Sequence, residues 1–131
     1  MISNASKIAI KTLAYLAEQV GTDNKTRAQE LAKTLDVPKP YLSKILQQLA
    51  AKGFVSSVKG PHGGFYLTHE QLDSTVMSVI IEVEGKDRFG LCMLSFEACN
   101  NAQPCAIHHL VYKEKEALRK QFGTITIGAL N

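Results

Sequence analysis

The stretch Thr26–Leu67, TRAQELAKTLDVPKPYLSKILQQLAAKGFVSSVKGPHGGFYL, decides the fold. In its first part Ala28, Leu31, Ala32 and Leu35 recur at three- and four-residue steps, the spacing of one helix face. Thr26 and Gln29 stand at capping-box spacing and mark where this helix starts. Asp36, Val37 and Pro38 leave room only for a tight connection. A second helix then runs from about Pro40, suited to a first turn, to Lys52, and Gly53 stops it. Leu42, Ile45, Leu46 and Leu49 lie along its inner side, so Tyr41, Ser43, Lys44, Gln47 and Gln48 face outward or sideways. Two short helices with a tight turn, the second polar and basic outside, predict a helix-turn-helix. Phe54–Val58 and Phe65–Leu67 read as strands around the tip KGPHGG, Lys59–Gly64. A Gly-rich basic hairpin directly after the second helix is the wing of a winged helix.

Outward from this block the pattern stays helical. Ser3–Val20 carries Ile10, Leu13, Ala17 and Val20 on one face, and Gly21–Lys25 is a turn. Thr68 and Gln71 repeat the capping-box spacing, and Val76, Val79, Ile80 and Val83 form a helix face ending at Gly85. A loop from Lys86 to about Cys105 follows. His108–Phe122 closes the chain as an amphipathic helix with Leu110, Val111, Leu118 and Phe122 apolar. The expected fold is mostly α with a small β-hairpin. Residues 1–85 form a winged helix-turn-helix DNA-binding domain, 86–107 a cysteine-bearing loop, and 108–131 a dimerisation helix and tail.

The chain has 131 residues, a hydrophobic fraction of 45% and a charged fraction of 21%, the composition of one globular domain. No apolar run approaches the ~20 residues of a membrane span, and the N-terminus lacks a signal-peptide core, so a cytoplasmic protein without membrane contact is expected. The net charge of +3 is unevenly spread: residues 1–69 hold 9 basic and 4 acidic residues, and residues 70–131 hold 6 and 8. A basic front half suits a polyanion. Tyr41, Ser43, Lys44 and Gln48 are the candidates for base edges, since Gln pairs with adenine and Lys with guanine or phosphate. Lys39 and Lys59 are candidates for phosphates, and Thr26, His62 and Gly63 complete the DNA-facing set. Bacterial operators are commonly read by symmetric dimers, so a homodimer on double-stranded DNA is expected. Cys105 and His108 are a weak nucleophile–base pair, and no phosphate loop or Ser–His–Asp order stands out, so no enzyme is expected.

All three cysteines, Cys92, Cys99 and Cys105, lie in the loop with spacing C-x6-C-x5-C, and His108 follows after two intervening residues. Without a secretory context this clustering favours a metal or redox role over structural disulfides. Three readings stay open from the residues: an iron–sulfur cluster, zinc, and free or redox-paired thiols. Zinc lacks its usual paired knuckles here, and the wide spacing suits a cluster better. Asp87 and Glu97 read as loop surface rather than ligands.

These residues together resemble the Rrf2 family of bacterial transcription regulators over nearly the whole chain. The resemblance is carried by KTLAYLA (Lys11–Ala17), the block Thr26–Leu67, STVMSVIIEVEG (Ser74–Gly85) and the PCAIH segment (Pro104–His108). Its most specific element is GFVSSVKGPHGGFYL (Gly53–Leu67), which looks like the family's wing. The resemblance implies a homodimeric DNA-binding regulator, expected as a repressor, whose long C-terminal helices cross between subunits. Members with three cysteines in this loop sense iron–sulfur status, redox state or nitric oxide through a [2Fe–2S] or [4Fe–4S] cluster. It therefore implies Cys92, Cys99, Cys105 and His108 as metal ligands. The first spacing is one residue longer than the family's usual x5. Members that take a fourth ligand from the start of the first helix have an acid there, whereas this chain has Lys7 and Ile8 and no acid before Glu18. That departure favours [2Fe–2S] over [4Fe–4S]. The alternative is a cluster-free winged-helix regulator switched by thiol oxidation, zinc or a protein partner.

Overall fold

The computed structural model describes residues 2–85, 88–94 and 97–130, without the side chain of Arg88. Lys86 and Asp87, at the start of the expected loop, lie outside the described residues. Helix α1 spans Asn4–Ala17, α2 Ala28–Leu35, α3 Lys39–Ala51, α4 Val76–Glu84 and α5 His108–Thr124. Strands β1 (Ser56–Val58) and β2 (Gly64–Tyr66) form the antiparallel hairpin, pairing Ser56 with Tyr66, Ser57 with Phe65 and Val58 with Gly64.

The core forms because the inner stripes of these helices meet. Leu42, Ile45, Leu46 and Leu49 of α3 are all buried, as their spacing predicts, together with Leu31 and Ala32 of α2. Helix α4 adds Val76, Met77, Val79 and Ile80 and packs against α1, α3 and α5. Helix α1 differs from expectation. Its buried face runs through Ser6, Ala9, Thr12, Leu13 and Leu16 rather than along Ile10, Ala17 and Val20. Two polar residues obscure that face in the sequence, and both are satisfied in place. Thr12 Oγ1 donates to the Ile8 carbonyl at 2.7 Å, and Ser6 Oγ donates to Glu84 Oε2 at 3.0 Å.

The expected capping box at Thr26 does not form. Helix α2 starts after Arg27, with no side-chain cap bond. Thr26 is extended and pairs with the wing: its N–H donates to Phe65 O at 2.8 Å, and Phe65 N–H donates to Thr26 O at 2.7 Å. Two backbone bonds leave Thr26 in the role of a one-residue third strand beside β2. The close approach needs Gly64, at φ +156°, where an added Cβ would stand 2.9 Å from the Thr26 carbonyl. The second capping box does form. Gln71 N–H donates to Thr68 Oγ1 at 3.3 Å, and Thr68 N–H donates to Gln71 Oε1 at 2.9 Å. It caps only a single 3-10 turn, Glu70–Asp73, while α4 has its own cap, Thr75 Oγ1 accepting from Ser78 N–H.

The last helix divides its apolar residues. Leu118 and Phe122 pack on the core, whereas Leu110 is 63% exposed. The tail then folds back onto the winged-helix unit. Thr126 bridges Thr75, Val76 N–H donates to Ile125 O at 3.0 Å, and Ile127 N–H donates to Ser74 O at 2.9 Å. Ile127 is fully buried. None of the described helices is long and apolar enough to cross a membrane. Replacing Ile127 by Ala should lower the unfolding free energy by about 2–5 kcal/mol in chemical denaturation, the cost of a large-to-small change in a core. An unchanged midpoint would show that the tail contributes no core packing.

Candidate nucleic-acid interface and cysteine loop

The inner stripe of α3 fixes which side chains it presents outward. Tyr41 is 41% exposed, Lys39 and Lys44 are exposed, and Ser43 is partly buried. Gln48 is exposed but occupied: its Nε2 donates to the Glu82 carbonyl of α4 at 2.9 Å, which ties the two helices together. At the wing, Lys59 and His62 are exposed. Gly63 is buried, because its α-carbon packs so close to the Val58 carbonyl that a Cβ would collide with it. Gly63 therefore shapes the tip, and the exposed run of the wing is Ser57–His62.

Between wing and helices lies an open recess of about 230 Å³, lined by Arg27, Gln29, Lys39, Gly60, Gly63 and neighbouring residues. It gathers two cations, the N-terminal end of α2 and a glycine-rich backbone, the groups that suit a phosphate. Thr26 lies beside it but spends its backbone on Phe65. Arg27 is a phosphate candidate that the sequence did not single out. Its signal was a basic side chain immediately before a helix start, hidden because the start was assigned to Thr26.

The loop between α4 and α5 carries the thiols. Leu91 and Ala98 form an antiparallel bridge, Cys92 N–H donates to Glu97 O at 2.9 Å, and Cys99 N–H donates to Gly90 O at 3.0 Å. The loop is pinned by Phe89, buried and edge-on to Phe122 with ring centroids 5.6 Å apart. Cys92, Cys99 and Cys105 stand outside any disulfide and are of intermediate exposure. Glu97 is exposed, as expected of loop surface. His108 opens α5, with Nε2 2.8 Å from Asn101 Oδ1 and its ring 4.9 Å from that of Tyr112. A neutral ring that donates its Nε2–H to Asn101 Oδ1 has its lone pair on Nδ1, the atom it can then offer a metal. Three thiols and one imidazole within residues 92–108 have the donor chemistry of an iron–sulfur ligand set. Among the described residues no three Cys, His, Asp or Glu side chains converge closely enough to hold a metal ion. Cys99 is instead turned toward α5, its Sγ 3.3 Å from Lys115 Nζ.

Comparison with known proteins gives one consistent result. A family model named Rrf2 and described as an iron-dependent transcriptional regulator matches residues 2–131. A protein of Aquifex aeolicus named for HTH-type transcriptional regulation is 32% identical over 129 residues, 97% of this chain and 88% of its own length. Two solved structures share the fold. CymR, the global cysteine regulator of B. subtilis, superposes with a TM-score of 0.78 at 23% identity, covering 99% of this chain and 95% of its own. IscR of T. potens does so with a TM-score of 0.72 at 22% identity, covering 99% and 85%.

If the recess seats a phosphate, Arg27→Ala should weaken binding to duplex DNA of any sequence. The slope of log K against log salt should then fall by about 0.9, one phosphate contact. Fluorescence anisotropy across a salt series measures it, and a parallel line would remove Arg27 from the interface.

Proposed function

The chain belongs to the Rrf2 family of transcriptional regulators, and from that premise we propose that it is a homodimeric regulator whose affinity for a double-stranded operator is set by an iron–sulfur cluster on its cysteine loop. The observation that carries the reading is the donor set, three thiols on the loop between α4 and α5 and a histidine at the first position of α5. The family model's description as iron-dependent supports it.

On DNA, α3 enters the major groove with Tyr41, Ser43 and Lys44 toward base edges. Lys39, Arg27 and Lys59 take phosphates, and the Val58–His62 tip lies along the backbone. Gln48 has a lesser part in base contact, since its amide already serves Glu82. Dimerisation has two apolar surfaces available: the exposed Leu110 side of α5, and a groove of about 470 Å³ lined by Ile2, Ile10, Val76, Phe122, Ile125 and Leu130 among others. Covering them with a second copy removes apolar area from water and sets the distance between the two recognition helices.

Cys92, Cys99 and Cys105 would hold the cluster with His108 as fourth ligand, favouring [2Fe–2S]. The bound group supplies a redox-active centre that oxidants and nitric oxide can alter. The chain's own part is mechanical. The loop joins α4, which packs on the recognition helix, to α5, so its conformation biases how the two winged helices are held. A coupling of about 1–3 kcal/mol gives a 5–150-fold change in operator affinity.

Anaerobic purification, a visible spectrum and assays for iron and acid-labile sulfide test the reading. The expected protein is coloured, with iron and sulfide in equal amounts, about two of each per chain for a [2Fe–2S] cluster. Separate Ala replacements of Cys92, Cys99 and Cys105 should each abolish the colour, and His108→Ala should make the cluster labile. A protein that stays colourless after reconstitution, yet binds DNA in an oxidant-dependent way, would replace the cluster with a thiol switch.

A further inference from the structure

Lys115 is the one charged side chain that the fold buries among the described residues, at 5% exposure. It sits on α5 and pairs with no carboxylate of the described residues. Its ammonium donates to the carbonyl of Leu91, and Cys99 Sγ lies 3.3 Å away. These two partners come from opposite arms of the loop. Leu91 precedes Cys92 and is bridged to Ala98, which precedes Cys99. A single cation therefore grips the arm of Cys92 by its backbone and the arm of Cys99 by its sulfur.

A lysine kept only to fill space would be poorly chosen here. Burying an ammonium is costly unless electron-rich groups surround it. A methionine of similar volume would fill the same place without that cost. The retained charge makes sense if the sulfur it faces is anionic in the working protein, as a metal-bound thiolate is. A cavity of about 180 Å³ lies on this side of the loop, with Phe89, Cys99, Tyr112, Lys115 and Arg119 in its wall, so the sulfur keeps an open side.

We infer that Lys115 is the positioning residue of the cysteine loop, fastening the Cys92 and Cys99 arms to α5 and setting a positive charge against the Cys99 sulfur. The inference rests on the proposal that these thiols are cluster ligands. It also gives the loop a mechanical link to α5 besides the covalent one at Cys105–His108.

The test uses the full chain with Lys115→Met and Lys115→Arg. Hydrogen exchange of the Cys92 and Cys99 amides, in protein stripped of metal, reads the grip without any cluster. Lys115→Met should speed both by at least about tenfold, the loss of one charge-assisted hydrogen bond, with α3 amides and the unfolding midpoint of the core little changed. In the reconstituted protein Lys115→Met should shift the reduction potential downward, because a cation that favours the added electron is gone, and Lys115→Arg should restore it. Unchanged exchange at both amides would overturn the inference. Faster exchange with an unmoved potential would also overturn it, reducing Lys115 to packing. Should the unaltered protein take up no iron and sulfide, the cluster reading fails on its own, and exchange alone decides whether Lys115 holds the loop.

Discussion

The burial of one side of α3 is the constraint on which the rest of the molecule depends. Leu42, Ile45, Leu46 and Leu49 lose nearly all contact with water, each worth about 1.5–3 kcal/mol on the area scale. A helix anchored on four residues of one stripe cannot rotate without exposing them, so its outer face is fixed as firmly as its core. Tyr41 and Lys44 are presented outward for that reason alone. The wing is then registered against α2 by the Thr26–Phe65 backbone pair, a junction that tolerates nothing larger than Gly64. Recognition helix and wing are thus positioned mainly by apolar packing and backbone bonding, which leaves Tyr41, Lys44, Lys59 and His62 exposed.

Helix α4 connects this reading head to the thiols. Its first turn is paired with the tail through Ile125 and Ile127, and its middle is core. Its last turn is held from two sides. Gln48 of α3 bonds the Glu82 carbonyl, and the Glu84 carboxylate accepts from Ser3 N–H at 3.2 Å and Ser6 Oγ at 3.0 Å at the start of α1. Beyond Glu84 the chain turns at Gly85, φ +78°, toward the cysteine loop. The same short segment therefore touches the recognition helix and the first helix and leads into the cysteine loop. A displacement of the loop's root must be absorbed by contacts that also orient α3.

The sequence was most legible where one requirement acted alone. The α3 stripe, the stop at Gly53, the Thr68–Gln71 box and the helix ending at Gly85 all follow from local spacing, and each has its structural counterpart. It was least legible where tertiary contacts outbid local ones. Thr26 carried a capping signature, but a backbone partner 39 positions away took it, and with it went the view of Arg27 as a phosphate candidate. The buried face of α1 was hidden by Ser6 and Thr12, polar residues whose burial makes sense only once Glu84 and the Ile8 carbonyl are seen to satisfy them. Lys115, inside a mixed-charge run, has no local mark of burial at all. The tail gave little sign that Ile127 would reach the core, because Ile125, Ile127, Ala129 and Leu130 form too short a run near a terminus to define a buried face. The thiols were legible as a set, since spacing needs no fold, but their orientation was not.

A loop of this kind suits sensing because its own stability is small. Among its described residues Phe89 is the only fully buried apolar anchor, while Met93 and Leu94 face solvent. Segments with few buried contacts open at low cost, whereas a change in the α3 stripe would cost several kcal/mol per side chain. A ligand can redirect such a loop with a few kcal/mol of differential binding, and that amount alters DNA affinity without unfolding the reader. The weak element must still be tied to a stiff one, or its motion would be lost in the loop itself. Phe89 against Phe122 and Lys115 against Leu91 and Cys99 make that tie on α5, the helix that also exposes Leu110. Thiol chemistry placed between the well-packed winged helix and α5 therefore has a short physical route to both.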